Sequence, residues 1–80
     1  ERCTPVRQDD LQEGDLVFFK INKPRISHIG IYLQDGYFVH ASVSRGVMIN
    51  NLSEKYYKKY FFKGGRIPSN EGEWIIVENY

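Results

Sequence analysis

The sequence predicts a small α+β domain, mostly an antiparallel sheet of about five strands curled into a small barrel, with one short helix. Three observations carry this. Aromatic residues are 15% of the 80-residue chain, a share that favours a folded, β-rich chain over a disordered segment. Short apolar runs alternate with turn signals built from Gly, Pro, Asn and Asp. Only the tyrosine-rich stretch after Ser53 reads as helical, and it is short. Eighty residues bound the chain to one domain.

Residues 1–14, with Pro5, Asp9, Asp10 and Gly14, read as an irregular lead-in holding at most a short turn. Asp15–Lys20 is apolar on both faces and predicts a central strand, with Gly14 turning the chain into it. Lys23-Pro24-Arg25 ends that strand in an exposed basic loop. Ile26–Leu33 and Tyr37–Ala41 flank Gln34-Asp35-Gly36 as a hairpin. Ser44-Arg45-Gly46 is the next turn and Val47–Leu52 the next strand. Ser53 is placed to cap a helix over Glu54–Tyr60, whose Tyr56, Tyr57 and Tyr60 give it an aromatic side. Phe61–Ile67 is a last strand, weakened by Gly64-Gly65 and stopped by Pro68. Residues 69–80 form a C-terminal tail in which Trp74–Val77 is either an edge strand or loose.

The hairpin holds both histidines of the chain, and its register decides what they do together. A two-residue loop, Asp35-Gly36, makes opposed residue numbers sum to 71 and places His28 and His40 on opposite faces. A three-residue loop with Gly36 left-handed and a bulge makes the sum 70. His28, Gly30 and Tyr32 then share a face with Phe38, His40 and Ser42. His40 sits opposite Gly30, with His28 as its diagonal neighbour at roughly 7–8 Å. Gly30 leaves the space between the rings open. The second register is the one expected here.

Composition excludes several classes. A net charge of +1 is too balanced for a nucleic-acid or anionic-membrane partner. No apolar run is long enough to span a membrane, and the opening residues do not read as a signal peptide. Glu1-Arg2-Cys3 reads as the interior of a longer protein. A single cysteine forms no internal disulfide.

Two histidines on one hairpin face suit acid–base work on a thiol, one ring taking the proton and the other holding its tautomer. The same pattern also describes two ordinary polar residues on a half-buried face, and pattern alone leaves both readings standing. Zinc is disfavoured, because no third Cys, Asp or Glu shares that face, and no cofactor is expected. Cys3 lies in the irregular lead-in rather than at a helix N-terminus, where a thiolate is stabilised. Asp15 is read as a turn or cap carboxylate, and Arg25, Lys58 and Lys59 as solvated charges. The helix tyrosines are expected to pack on the barrel rather than line a groove. A sheet of this size has an outer face to cover and no long helix to cover it. A helical segment upstream is therefore expected.

Leu11-Gln12-Glu13-Gly14-Asp15-Leu16-Val17-Phe18-Phe19, Ser27-His28-Ile29-Gly30-Ile31-Tyr32-Leu33, Phe38-Val39-His40-Ala41-Ser42 and Ser44-Arg45-Gly46-Val47 follow one another in order. Together they closely resemble the NlpC family of bacterial cell-wall peptidases. Tyr57, Tyr60 and Arg66-Ile67 are similar to that family's closing segment. The resemblance implies a papain-like fold, with residues 1–68 as its β-half and a separate helical half carrying the nucleophilic cysteine. It implies a cysteine endopeptidase cutting peptidoglycan stem peptides between D-glutamate and a diamino acid, in the bacterial cell envelope. By position His28 matches the general base and His40 the residue that orients it. The family's Asp-Cys-Ser-Gly helix start does not occur in these residues, and Cys3 falls in the variable connection before the first strand. The expected partners are therefore the stem peptides and a Cys-bearing half or a second copy of the chain. The alternative is a non-catalytic β-barrel module that binds wall peptides or a partner protein.

Overall fold

A computed structural model describes residues 3–68. The central element is β2 (Leu16–Phe19), whose Val17 and Phe19 are fully buried. It lies between β3 (His28–Tyr32) and β6 (Phe61–Arg66), antiparallel to both. That is the place its two apolar faces predict. β4 (Tyr37–Ser42) and β5 (Gly46–Asn51) continue the sheet beyond β3 by short hairpins. A further strand, β1 (Thr4–Val6), pairs with β6. The order is β1-β6-β2-β3-β4-β5.

Two expectations are corrected here. The sheet has six strands and is open: β1 and β5 are its two edges and do not pair, so there is no barrel. Strands of three to six residues are too few and too short to bring these edges together. The lead-in is also more ordered than its polar residues suggest, holding β1 and a 3-10 turn at Gln8–Asp10. The reason lies in Gly64-Gly65, which admit neighbours rather than merely weaken β6. A Cβ on Gly64 would meet Leu11 Cδ2 at 2.6 Å, and one on Gly65 would meet Cys3 Sγ at 3.1 Å. The lead-in thus lies across the bare backbone of β6. Residues 69–80, including the proposed strand at Trp74–Val77, lie outside the described residues.

The helix α1 (Lys55–Tyr60) runs directly into β6. Ser53 is not its cap. Glu54 takes that position without a side-chain cap bond, and Asn51 organises the turn by accepting the Ser53 N–H at 2.9 Å. Tyr57 of α1 packs edge-on against Phe19 and Phe38, with ring centroids 5.7 and 5.1 Å away. Together with Val17 and Leu52 these phenylalanines form the core. One face of the sheet is therefore packed. The other carries a row from Leu16 through Ile31 and Val39 to Ile49 across four strands, and Ile31 and Ile49 are exposed. No helix among the described residues is long and apolar enough to cross a membrane.

Asp15 ties the start of β2 to the end of β6. The residue is only 4% exposed. It accepts Arg66 Nε and Nη2 bonds, both at 2.8 Å, and the Gln12 backbone N–H at 2.8 Å. The turn role expected of Asp15 is present in the Gln12 bond, and the forked ion pair is added to it. The Arg66 hydrogen bonds hold the carboxyl below its ordinary 3.8, against the opposing effect of burial. A depressed carboxyl contributes stability above its unfolded value, and that stability is lost as pH falls through the folded one. Replacing Arg66 by Met is expected to move acid unfolding to higher pH, read by circular dichroism across an acid titration. An unchanged acid transition would count against this clamp.

Candidate functional site

The site begins with a turn. Asp35 and Gly36 both have positive φ, 55° and 88°, and the Tyr37 N–H donates to Gln34 O at 2.9 Å. Those are the marks of a two-residue type I′ turn, for which Asp-Gly is a preferred pair. Left alone, it would set the register that separates the histidines. Leu33 N–H, however, donates to the same Tyr37 through its carbonyl at 2.8 Å. Leu33 and Gln34 thus both face Tyr37, a bulge that shifts the ladder by one residue. Beyond it Tyr32 pairs with Phe38 and Gly30 with His40. The expected register is present, reached by a two-residue turn plus a bulge in place of a simple three-residue loop.

In this register both imidazoles stand on the packed face. His28 Nε2 and His40 Nδ1 are 2.9 Å apart, with the rings nearly perpendicular. His40 is 7% exposed and lies against Phe38 and Tyr57, at centroid distances of 4.8 and 5.4 Å. His28 is half-buried against Phe19. The space over Gly30 is not empty, as the sequence suggested. Phe38 and Val17 fill it, so a Cβ there would meet Phe38 Cδ2 at 2.8 Å and Val39 O at 3.1 Å. The glycine lets the phenylalanine that backs His40 sit directly on β3.

Beyond His40 the line of polar contacts continues. His40 Nε2 lies 2.7 Å from Asn50 Oδ1, and Asn50 Nδ2 donates to Glu54 Oε1 and Oε2 at 3.1 and 3.3 Å. Neither residue was singled out from the sequence. The available signal was Asn50 itself, a polar residue two positions after Met48, on the side of β5 that faces the core. Met48 is paired with His40 and Asn50 with Phe38, which puts the amide within reach of the ring.

An open cleft of about 230 Å³ runs along the histidines, with Ile21, Ser42, Tyr56 and Tyr57 on its walls. Tyr57 therefore packs on the core and also lines the groove, where packing alone was expected. Burial, with Tyr56 and Glu54 nearby, holds its phenol above the ordinary 10.0, so it stays a hydrogen-bond donor. A larger hollow of about 350 Å³ lies between β1 and β6, and no histidine, thiol or carboxylate lines it. Cys3 does not lie beside the histidines. Its sulfur lies against Gly65, beside Phe18, and Phe18 alternates with Val17 and Phe19 of the packed face. The cysteine is thus on the opposite side of the sheet.

Burial first, and then the neighbouring His40 ring, holds His28 below its ordinary 6.5. The folded protein therefore binds fewer protons than the unfolded chain just below that value. The sign follows: this contribution is fully present above 6.5 and is lost as pH falls through the lower folded value. Urea midpoints are expected to drop on acidification through this window, and His28→Gln should flatten the drop. Gly30→Ala is expected to cost about 1–3 kcal/mol, since buried Phe38 has nowhere to move. Urea titration checks both; a Gly30→Ala protein as stable as wild type would contradict the close approach.

Comparison with known proteins places this geometry. The NlpC/P60 family profile matches residues 1–66. The chain is 43% identical over 65 residues to the probable endopeptidase NlpC of Escherichia coli K12, covering 80% of this chain and 42% of that protein. It is 41% identical over 64 residues to the murein DD-endopeptidase MepS/murein LD-carboxypeptidase of the same strain, covering 80% and 34%. Its fold is similar to the crystal structure of an NlpC/P60 family protein from Bacillus cereus ATCC 10987, with a TM-score of 0.73, 29% identity and coverage of 81% and 22%. The chain thus spans less than half the length of these relatives. With the motif order, the sheet and the family match in agreement, the chain belongs to the NlpC/P60 family.

Proposed function

We propose that these residues are the histidine-bearing β-half of a papain-like cysteine endopeptidase that hydrolyses amide bonds of peptidoglycan stem peptides in the bacterial cell envelope. The observation that carries this reading is the His28–His40 contact of 2.9 Å beside an open cleft, in a chain of a family whose relatives are named endopeptidases. His28 is the general base and His40 the residue that orients it. A half-buried base held below its ordinary pKa is neutral at neutral pH and ready to take a proton.

The nucleophile comes from a Cys-bearing segment outside these residues, since Cys3 sits on the wrong side of the sheet. His28 takes the thiol proton, and the thiolate adds to the stem-peptide carbonyl. The proton then passes to the departing amine as the C–N bond breaks. Water, deprotonated by the same ring, adds to the thioester, and its C–S bond breaks to release the acid and return the proton to the thiol. The bond proposed is D-glutamyl–diamino acid. The exposed Ile29, Ile31 and Ile49 support the larger domain, because an apolar face of this kind is normally covered.

The test digests purified peptidoglycan with the full reading-frame product containing these residues and identifies the fragments by mass spectrometry. Cleavage after D-glutamate is expected, and His28→Ala should lower the rate about 10²–10⁴-fold. Cleavage at the D,D cross-link instead would reassign the bond. Binding of stem peptides with no cleavage would favour a non-catalytic wall-binding module. The 80-residue chain alone is expected to release nothing; activity abolished by Cys3→Ser would overturn the placement of the nucleophile.

A further inference from the structure

The polar line that begins at His28 has a direction, and its far end sets it. Asn50 turns one side of its amide to His40 Nε2 and the other to Glu54. The oxygen and nitrogen of an amide are told apart by what they face. A carboxylate only accepts hydrogen bonds. The NH2 of Asn50 must therefore face Glu54, and Oδ1 must face His40. Glu54 is held in place by the Asn51 backbone N–H, which donates to Oε2 at 2.8 Å.

The protons can then be assigned one after another. Asn50 Oδ1 is an acceptor, so His40 Nε2 carries the hydrogen. A neutral imidazole has one N–H, which leaves His40 Nδ1 bare to accept from His28 Nε2–H. Neutral His28 then keeps its lone pair on Nδ1, which has no hydrogen-bond partner among the described residues. The reversed arrangement would put a hydrogen on His40 Nδ1, make His28 Nε2 the acceptor, and occupy His28 Nδ1 with a hydrogen. That His28 could not take a proton at its free nitrogen.

We infer that Asn50 and Glu54 are positioning residues: they set the tautomers of both histidines and so decide that Nδ1 of His28 is the basic nitrogen. The inference rests on the acid–base reading of His28 for its consequence, whereas the tautomers are measurable without it. The row of N–H groups also points from His28 toward a negative charge at Glu54. That alignment favours the positive charge His28 acquires when it takes a proton.

The experiment is long-range proton–nitrogen NMR of the imidazoles in the full reading-frame product, comparing wild type with Asn50→Leu, Glu54→Ala and the double change Asn50→Asp with Glu54→Gln. Wild type is expected to show protonated Nε2 and bare Nδ1 on both rings. The double change, which keeps an acceptor toward His40 and a donor between the two side chains, should keep that pattern. Asn50→Leu and Glu54→Ala should give mixed or reversed tautomers, with backbone amides of Gly30 and His40 reporting an intact ladder. In peptidase assays the latter two should lose roughly tenfold in kcat with KM little changed, as a smaller competent fraction requires. A wild-type His40 protonated at Nδ1 would overturn the inference, as would Glu54→Ala and a folded Asn50→Leu that leave the tautomers unmoved. Absence of peptidase activity with the expected tautomers would overturn the proposed function and leave the tautomer assignment standing.

Discussion

A single extra residue on one side of a hairpin governs this structure. Side chains alternate along a strand, so a shift of one residue sends each to the opposite face. The type I′ turn at Asp35-Gly36 would by itself separate the histidines, and the bulge at Leu33 and Gln34 brings them together. Everything that touches His40 depends on that step. Phe38 backs it from the same strand, Gly30 admits the phenylalanine, and Tyr57 closes over both.

The packed face is where fold and site coincide. Phe19 contacts His28, Phe38, Tyr57 and Phe61 at ring distances of 5.8, 5.2, 5.7 and 6.1 Å. The residues that stabilise the sheet are thus the ones that fix the angle between the imidazoles. A buried ring with few rotamers open to it holds its hydrogen-bond geometry without a dedicated scaffold.

What could be read from the sequence follows the range over which each signal acts. The central position of Leu16–Phe19 was legible because both of its faces are apolar, and the histidine register because turn chemistry is local. The open edges of the sheet were not, since closure depends on strand tilt and length together. β1 was hidden by its proline: Pro5 interrupts two strand formers, Thr4 and Val6, and the segment is held by Gly64 and Gly65, sixty positions away along the chain. Asn50 and Glu54 escaped notice for a different reason. Each is ordinary in its own segment, and only the pairing of β4 with β5 brings the amide under His40.

The position of β6 also orders events as the chain folds. β3, β4 and β5 meet neighbours a few residues away, while β2, already beside β3, takes its second partner from far along the chain, with Arg66 51 positions beyond Asp15. Closing so long a loop slows that step relative to the local hairpins. Because α1 passes into β6 without a linker, docking of the helix and insertion of that strand are one event. The two imidazoles therefore meet on the local hairpin, and Tyr57 closes over His40 when β6 docks.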